Sequence, residues 1–238
     1  MTIKIDVYNS KDLDLRGATV VDGFSSASII GSIVANYLVE TLILDQISVL
    51  DSDDFPPVSI VSESKPKYPA RIFADEKKKI VVFLSEFNPA NHLVRPIANT
   101  ILSWAEENKC VRIITAEGVL TREPISDKEH RVYGVGNVER AREDLIRLEL
   151  QQLRTGIITG ISAALLNEGM RMDFDVICLL AEVNSNPGIP DVTAPAKVIE
   201  VINKLLPTVK IDVEPLYREA QKIEAWIKEQ HEPSQMFG

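Results

Sequence analysis

The amino-acid sequence predicts an α/β protein in which a mainly parallel sheet is covered by helices on both faces. Strand-like and helix-like segments alternate along the chain, which is the order that repeated βαβ units produce. Segment 79–85, Lys-Ile-Val-Val-Phe-Leu-Ser, is a short continuous apolar run, as expected of a strand buried on both faces. Apolar residues make up 45% of the 238 residues and charged residues 26%, so the chain can bury a sizeable core. These observations favour a three-layer α/β/α sandwich.

Short apolar or alternating segments predict the strands. In chain order they lie at 3–8, 18–22, 46–50, 58–61, around 70–74, and at 79–85, 111–116, 132–136 and 173–182. The stretch 122–131 is polar and contains a proline, so we expect an exposed loop between the strands at 111–116 and 132–136.

Apolar residues at helical spacing predict the helices. Segment 26–44 places seven of them on one face: Ile29, Ile30, Ile33, Val34, Tyr37, Leu38 and Leu42. Further helices are expected at 89–108, from an N-cap at Asn137 onward, from 156–160 through Leu166 to an end at 167–169, from a cap at Asp191 to Leu206, and at 214–229. No linker or repeat divides the chain, so we expect one domain over residues 1–230 and a flexible C-terminal tail at 231–238.

Composition and charge narrow the class of partner and the compartment. A net charge of −9 disfavours nucleic acid and anionic membranes as partners. The N-terminus alternates like a strand and lacks the apolar region of a signal peptide, and no apolar run reaches membrane-spanning length. Cys110 and Cys178 lie far apart on strand-like segments, which is typical of buried free thiols in a reducing compartment. We therefore expect a soluble cytoplasmic protein.

Polar residues that end two predicted strands are candidates for acid/base chemistry. Glu86 follows the strand at 79–85, and Glu182 and Asn184 end the strand at 173–182. Ligands of open α/β sheets bind at the carboxyl ends of strands, so the two glutamates could line a pocket as an acid/base pair. The same residues could be helix caps and loop anchors, and this second interpretation is favoured.

A glycine-bracketed turn, Gly156-Ile-Ile-Thr-Gly160, is the best candidate for an anion site. Backbone N–H groups at a strand-to-helix turn can hold an oxyanion, although tight packing of a strand on a helix explains the glycines equally simply and is favoured. The three histidines, His92, His130 and His231, lack the spacing of metal ligands. We therefore expect neither a metal nor a cofactor.

The last three residues, Met236-Phe237-Gly238, present an aliphatic side chain, an aromatic side chain and a free carboxylate. Two apolar anchors can enter a cleft while the carboxylate meets a lysine of the partner. A protein-binding terminus is therefore expected.

Several ordered motifs resemble the proteasome assembly chaperone family, and its archaeal homologues in particular. They are the glycine–helix signature at 23–38, Phe-Pro-Pro-Val at 55–58, the turn at 156–160, the helix start at 191–199, and the closing segment at 216–224. The resemblance extends over about residues 3–230. It implies a sandwich similar to the phosphorylase/hydrolase-like fold, homo-oligomers, and a non-catalytic role in assembling or binding the core proteasome.

Some members of that family carry a C-terminal hydrophobic–Tyr–any motif that docks between neighbouring proteasome α-subunits. The resemblance assigns Met236, Phe237 and Gly238 to these three positions. Phenylalanine in place of tyrosine removes one hydroxyl hydrogen bond, a loss of about 0.5–1.5 kcal/mol per tail. Two alternatives stay open: a nucleoside- or phosphate-handling hydrolase on the same fold, and an activator or adaptor of the mature core proteasome.

Overall fold

A computed structural model describes residues 3–25, 28–120, 130–183, 193–220 and 222. The strands are β1 (Asp6–Asn9), β2 (Thr19–Gly23), β3 (Asp45–Asp51), β4 (Ile60–Ser62), β5 (Lys65–Lys67), β6 (Ala70–Asp75), β7 (Ile80–Ser85), β8 (Arg112–Leu120), β9 (Val132–Gly136) and β10 (Val176–Val183). The helices are α1 (Ile30–Leu42), α2 (Asn91–Glu107), α3 (Glu139–Arg147), α4 (Gly160–Arg171) and α5 (Thr193–Leu205), and residues 214–220 are also helical. None of the helices in these ranges is long and apolar enough to cross a membrane.

Eight strands form one mixed sheet in the order β1-β3-β6-β7-β2-β8-β10-β9. The four central strands, β7, β2, β8 and β10, are parallel, and the strands on either side of them pair antiparallel. Since parallel strands point the same way, the carboxyl ends of these four strands meet at one end of the sheet. We call this the carboxyl end.

Side chains alternate between the two faces of the sheet, and each face carries its own helices. Val21, Ile114 and Ile177 pack in a core with α1, α3 and α5. Val20 and Ile113 pack in a second core with α2 and α4. This arrangement confirms the three-layer α/β/α sandwich. The apolar run that predicts the central strand is confirmed as well, because all six residues of β7 are buried.

Two local predictions are wrong for identifiable reasons. Val138, not Asn137, precedes α3 as its N-cap. The Asn137 side chain instead donates to the Phe174 carbonyl (2.9 Å) and accepts from the Val176 amide (2.9 Å), which ties the end of β9 to the start of β10. Helix α4 continues through Gly169 to Arg171, because this glycine serves close packing and not termination: a Cβ there would lie 2.6 Å from the Val176 side chain.

Strand β5 has no counterpart in the sequence prediction. Its residues are Lys-Pro-Lys, and they pair only with β4 in a separate two-stranded hairpin. The segment buries little, so it carries no apolar pattern from which a strand could be predicted.

Candidate functional site

The two glutamates proposed as an acid/base pair lie apart at the carboxyl end. Glu86 forms an ion pair with the buried Arg71 (2.7 Å), and Glu182 accepts a hydrogen bond from the Tyr133 hydroxyl (2.9 Å). Strands β2 and β8 lie between β7 and β10, so the two carboxylates are separated by three strand spacings, roughly 14 Å. The acid/base pair is therefore wrong, and both glutamates act as anchors. Asn184 lies outside the described residues.

The glycine turn does not follow a strand as predicted. A loop leads into it, and Gln151 and Leu153 of this loop hydrogen-bond to Gly134 of β9. Gly160 takes a positive φ of 71° at the first residue of α4, and Gly156 packs against Leu153 of its own loop. Gly156 therefore serves the packing of its own loop, and Gly160 serves the backbone conformation at the start of α4. Tight packing of a strand on a helix, the explanation favoured from the sequence, does not account for either glycine.

The carboxyl end instead holds a buried polar cluster that the sequence interpretation missed. We call it the Asp22–Glu117 cluster, and its members are Asp22, Ser28, Thr115, Glu117 and Ser162. The Thr115 hydroxyl lies 3.1 Å from Asp22 Oδ2 and 2.7 Å from Ser162 Oγ. Ser162 Oγ lies 3.1 Å from Glu117 Oε1, and the Ser28 hydroxyl donates to Glu117 Oε2 at 2.9 Å. The cluster joins β2, β8, the segment before α1, and the first turn of α4.

Burial changes the acidity of both carboxyls. Asp22 is 1% exposed, and desolvation raises its pKa to about 7. Glu117 is 4% exposed, and desolvation also raises its pKa, against the opposing effect of the Ser28 and Ser162 hydroxyls that bond to its charged form. Two carboxyls with raised pKa values are groups from which acid/base catalysts are made. At these exposures, however, they face other protein groups and not solvent.

No pattern along the chain marks this cluster. Asp22 lies among buried residues of β2 and Glu117 among buried residues of β8, and their hydroxyl partners on other elements are distant in sequence. A usable signal exists all the same, since a carboxylate within a strand that is buried on both faces must have a partner.

A cavity of about 560 Å³ opens near Glu86 on the other face of the sheet. It is lined at one side by the segment that follows β7 and at the other by α1, with Leu216 of the C-terminal helical residues at its rim. Its polar lining residues are Ser25, Ser32, Asn36, Glu40, Ser85, Glu86 and Asn88. Glu86 is therefore accessible, but its nearest charged partner is Arg71 of the same chain.

Neither the histidines nor the thiols form a metal site in the part of the chain that the structure describes, where no three His, Cys, Asp or Glu side chains are suitably grouped. His92 is exposed on α2 and His130 is buried, while His231 lies outside the described residues. Cys110 and Cys178 are buried free thiols, as predicted.

The C-terminal tail, residues 231–238 with Met236, Phe237 and Gly238, also lies outside the described residues. The helical residues before it are fixed to the body. Ala220 is buried, the Tyr217 hydroxyl hydrogen-bonds to Glu200 (2.5 Å), and Asn203 pairs twice with Ile211 (2.9 Å each). Residues 214–220 are therefore well anchored on the body.

Comparison with known families decides the relationship. The model of the PAC2 family matches residues 20–231. The chain belongs to the PAC2 family. No curated protein matches the chain.

Solved structures agree with this family assignment. PbaA from Pyrococcus furiosus, an archaeal homolog of proteasome-assembly chaperone, is 28% identical with a TM-score of 0.80, and the match covers 96% of each chain. A protein from Thermoplasma acidophilum is 26% identical, with a TM-score of 0.74 over 91% of this chain and 90% of the other. PbaB from Pyrococcus furiosus, an archaeal proteasome activator, shares the fold at 20% identity with a TM-score of 0.81, over 96% of this chain and 99% of the other.

The glycine–helix signature has a clear packing role in this PAC2-family chain. A Cβ at Gly23 would lie 2.3 Å from the Ala35 Cβ and 2.6 Å from the Phe83 carbonyl oxygen. A Cβ at Gly31 would lie 3.1 Å from the Ala116 carbonyl oxygen. The two glycines let α1 approach the central strands of the sheet closely.

Proposed function

We propose that this PAC2-family chain is a non-catalytic chaperone that binds proteasome α-subunits or the core particle in the cytoplasm. It acts as a homo-oligomer, and each subunit contributes Met236, Phe237 and Gly238 as a C-terminal anchor. The observation that carries the proposal is the match to PbaA over nearly the full length of both chains, together with a terminus of the hydrophobic–aromatic–any type.

The location of the ionisable groups supports binding over catalysis. In open α/β sheets the carboxyl ends of the parallel strands are the usual place for a ligand. Three carboxylates that the structure describes at that end are engaged within the chain: Glu86 with Arg71, Glu182 with Tyr133, and Glu117 with Ser28 and Ser162. The energy of partner recognition is then supplied by surface contacts and the tail.

The geometry of the C-terminal base supports a tail that reaches beyond the body. Sixteen residues follow Lys222, and a chain of that length spans at most about 55 Å when extended. A single three-residue anchor binds weakly, since ordering a flexible segment offsets much of its contact energy. Several tails on one oligomer raise the effective concentration, so avidity exceeds the affinity of a lone tail by roughly 10²–10⁴-fold.

The test is capture of separately produced proteasome α-subunits by the immobilised full-length chain, with a variant that lacks residues 236–238 and with Phe237→Ala. We expect both variants to lose α-subunit capture while their melting temperatures match that of the wild type. Ile43→Ala is the matched control, because Ile43 is an apolar side chain 86% exposed on the body, after the last residue of α1. Undiminished capture by the truncated chain would refute the role of the tail.

The same proteins separate an assembly factor from an activator of the mature particle. An assembly factor accelerates the formation of α-rings or core particles from subunits, and its tail variants lose this effect. An activator stimulates peptide hydrolysis by complete core particles. Stimulation of complete particles without any effect on assembly would replace the chaperone role with the activator role.

A further inference from the structure

The Asp22–Glu117 cluster contains three consecutive oxygen–oxygen contacts. They run from Asp22 Oδ2 to Thr115 Oγ1 (3.1 Å), from Thr115 Oγ1 to Ser162 Oγ (2.7 Å), and from Ser162 Oγ to Glu117 Oε1 (3.1 Å). Asp22, Thr115 and Ser162 are each 1% exposed, and Glu117 is 4% exposed. All three distances lie within hydrogen-bond range, and the two hydroxyl oxygens at 2.7 Å would repel each other without a hydrogen between them, so each contact is counted as a hydrogen bond.

The cluster has fewer hydroxyl hydrogens than it has contacts to fill. Each of the three contacts needs one hydrogen, and Thr115 and Ser162 supply one each. The Ser28 hydrogen is already used on the other oxygen of Glu117. The third hydrogen must come from one of the two carboxyls at the ends of the row. At least one of the pair is then a neutral carboxylic acid.

The surroundings assign the hydrogen to Asp22. Glu117 accepts from two hydroxyls, and one of them, Ser162, lies in the first turn of α4, where the helix dipole favours a negative charge. Among the residues that the structure describes, the other oxygen of Asp22 accepts from the Phe24 amide alone (3.0 Å). Asp22 on β2 and Glu117 on β8 influence each other electrostatically, and the buried Cys178 thiol of β10 is the third titratable group beside them. Helix α4 and the segment before α1 face the two carboxyls with hydroxyl groups.

We propose that Asp22 is a neutral acid that donates to Thr115, that Thr115 donates to Ser162, and that Ser162 donates to an ionised Glu117. One shared hydrogen thus orients the whole row and joins two central strands to α4. Removal of this hydrogen leaves two charged carboxyls and one unfilled contact, so the attachment of α4 to the sheet weakens at alkaline pH. This device is independent of any partner of the chain.

The proposal fixes the sign and range of a pH effect on stability. The pKa of Asp22 is about 7 in the folded chain, above its ordinary value of about 4 in the unfolded chain. Between these values the folded state holds one more proton than the unfolded state, so stability falls as pH rises. The unfolding equilibrium constant then increases by up to about tenfold per pH unit between pH 5 and 7, and this contribution levels off above pH 7.

Urea unfolding of the full chain from pH 5 to pH 8 tests the proposal, with Asp22→Asn and Glu117→Gln as a matched pair. The asparagine amide donates to Thr115 as the neutral acid does, and its oxygen accepts from the Phe24 amide. We expect the pH dependence of the unfolding equilibrium in Asp22→Asn to be smaller by the equivalent of about one bound proton. We also expect this variant to be more stable than the wild type at pH 8. The amide of Glu117→Gln can donate to Ser162 in place of the shared hydrogen, so the pH dependence of this variant should weaken as well, and the assignment of the hydrogen to Asp22 depends on the loss in Asp22→Asn.

A second measurement does not depend on any variant. Carbon-13 NMR of the aspartate side-chain carboxyls in the folded wild type should show one buried signal that stays neutral until the pH approaches 7, and Asp22→Asn, if it folds, assigns it. A pH dependence that is the same in Asp22→Asn and the wild type would overturn the proposal. So would an absence of any aspartate signal that titrates above pH 5, or a pH dependence that disappears in Glu117→Gln alone.

Discussion

The substitution Gly23→Ala tests whether close approach of α1 to the sheet explains the glycine–helix signature. The added Cβ would lie 2.3 Å from the Ala35 Cβ and 2.6 Å from the Phe83 carbonyl oxygen. Carbon atoms in contact are normally about 3.5–4.0 Å apart, so α1 must move by about 1 Å, and the second neighbour is backbone that cannot rotate away. Overpacking of this kind destabilises by about 1–3 kcal/mol.

The sign of the effect is diagnostic. The backbone of Gly23 does not have a positive φ, so its conformation does not require glycine. Without a clash, a change to alanine would stabilise the fold by about 0.4–1 kcal/mol through the unfolded state. We expect a net loss of about 2 kcal/mol in the free energy of unfolding, which lowers the melting temperature of a chain this size by roughly 4–8 °C.

Urea unfolding and thermal melts of Gly23→Ala, Ala35→Gly and the double variant complete the test as a cycle. Ala35→Gly alone costs about 1 kcal/mol, the usual difference between the two residues inside a helix. In the double variant the Ala35 Cβ is gone, so its loss should be smaller than the sum of the single losses by about 1 kcal/mol or more. Additive losses, or a Gly23→Ala variant as stable as the wild type, would refute the packing explanation.

Three other changes have expected outcomes of similar clarity. Arg112→Ala should lower the free energy of unfolding by about 3–5 kcal/mol, because the buried Asp175 carboxylate, which is 3% exposed, loses a bidentate guanidinium partner (2.7 and 2.9 Å). A loss below 1 kcal/mol in urea unfolding would contradict this. The Cys110 and Cys178 thiols should resist a thiol reagent at pH 8 until the chain is denatured, because burial raises the pKa of Cys110 to about 12 and also raises the pKa of Cys178. Rapid labelling of the native chain would contradict this prediction. Phe237→Tyr should tighten the binding of a tail peptide to α-subunits by about 2- to 10-fold through one added hydrogen bond, and unchanged affinity in a competition assay would show that the hydroxyl is not needed.

The parts of the fold that were predictable are those whose burial is continuous or periodic in sequence. Helix α2 runs over Asn91–Glu107, inside the predicted 89–108, because its buried residues recur at helical spacing. Strand β7 is entirely buried and correspondingly apolar. Strand β5 buries almost nothing, so it carries no such pattern, and only its pairing with β4 defines it.

The cluster at the carboxyl end was not predictable for a different reason. Sequence patterns report how often a residue type faces a core, and they do not report which residues meet across it. Asp22 and Thr115 are 93 positions apart, and Thr115 and Ser162 are 47 apart. Glu86 and Glu182 lie at the ends of two strands, and the sequence predicts them wrongly as a pair because it does not give the order of strands in the sheet.

The order of strands also bears on how a fold of this class becomes a binding protein. In a parallel sheet, polar groups at the carboxyl ends of the central strands are well placed for a substrate. In this chain the central strands direct Asp22 and Glu117 to hydroxyls of the same chain, and α4 closes over them through Ser162. A substrate that approached from the side of α4 would have to displace that first turn. The proposed protein partner needs no such opening, because the proposal places its anchor in the C-terminal tail that follows residues 214–220. Because the proposed binding does not involve the buried carboxyls, we expect loss of the tail, and not neutralisation of Asp22, to abolish association with α-subunits.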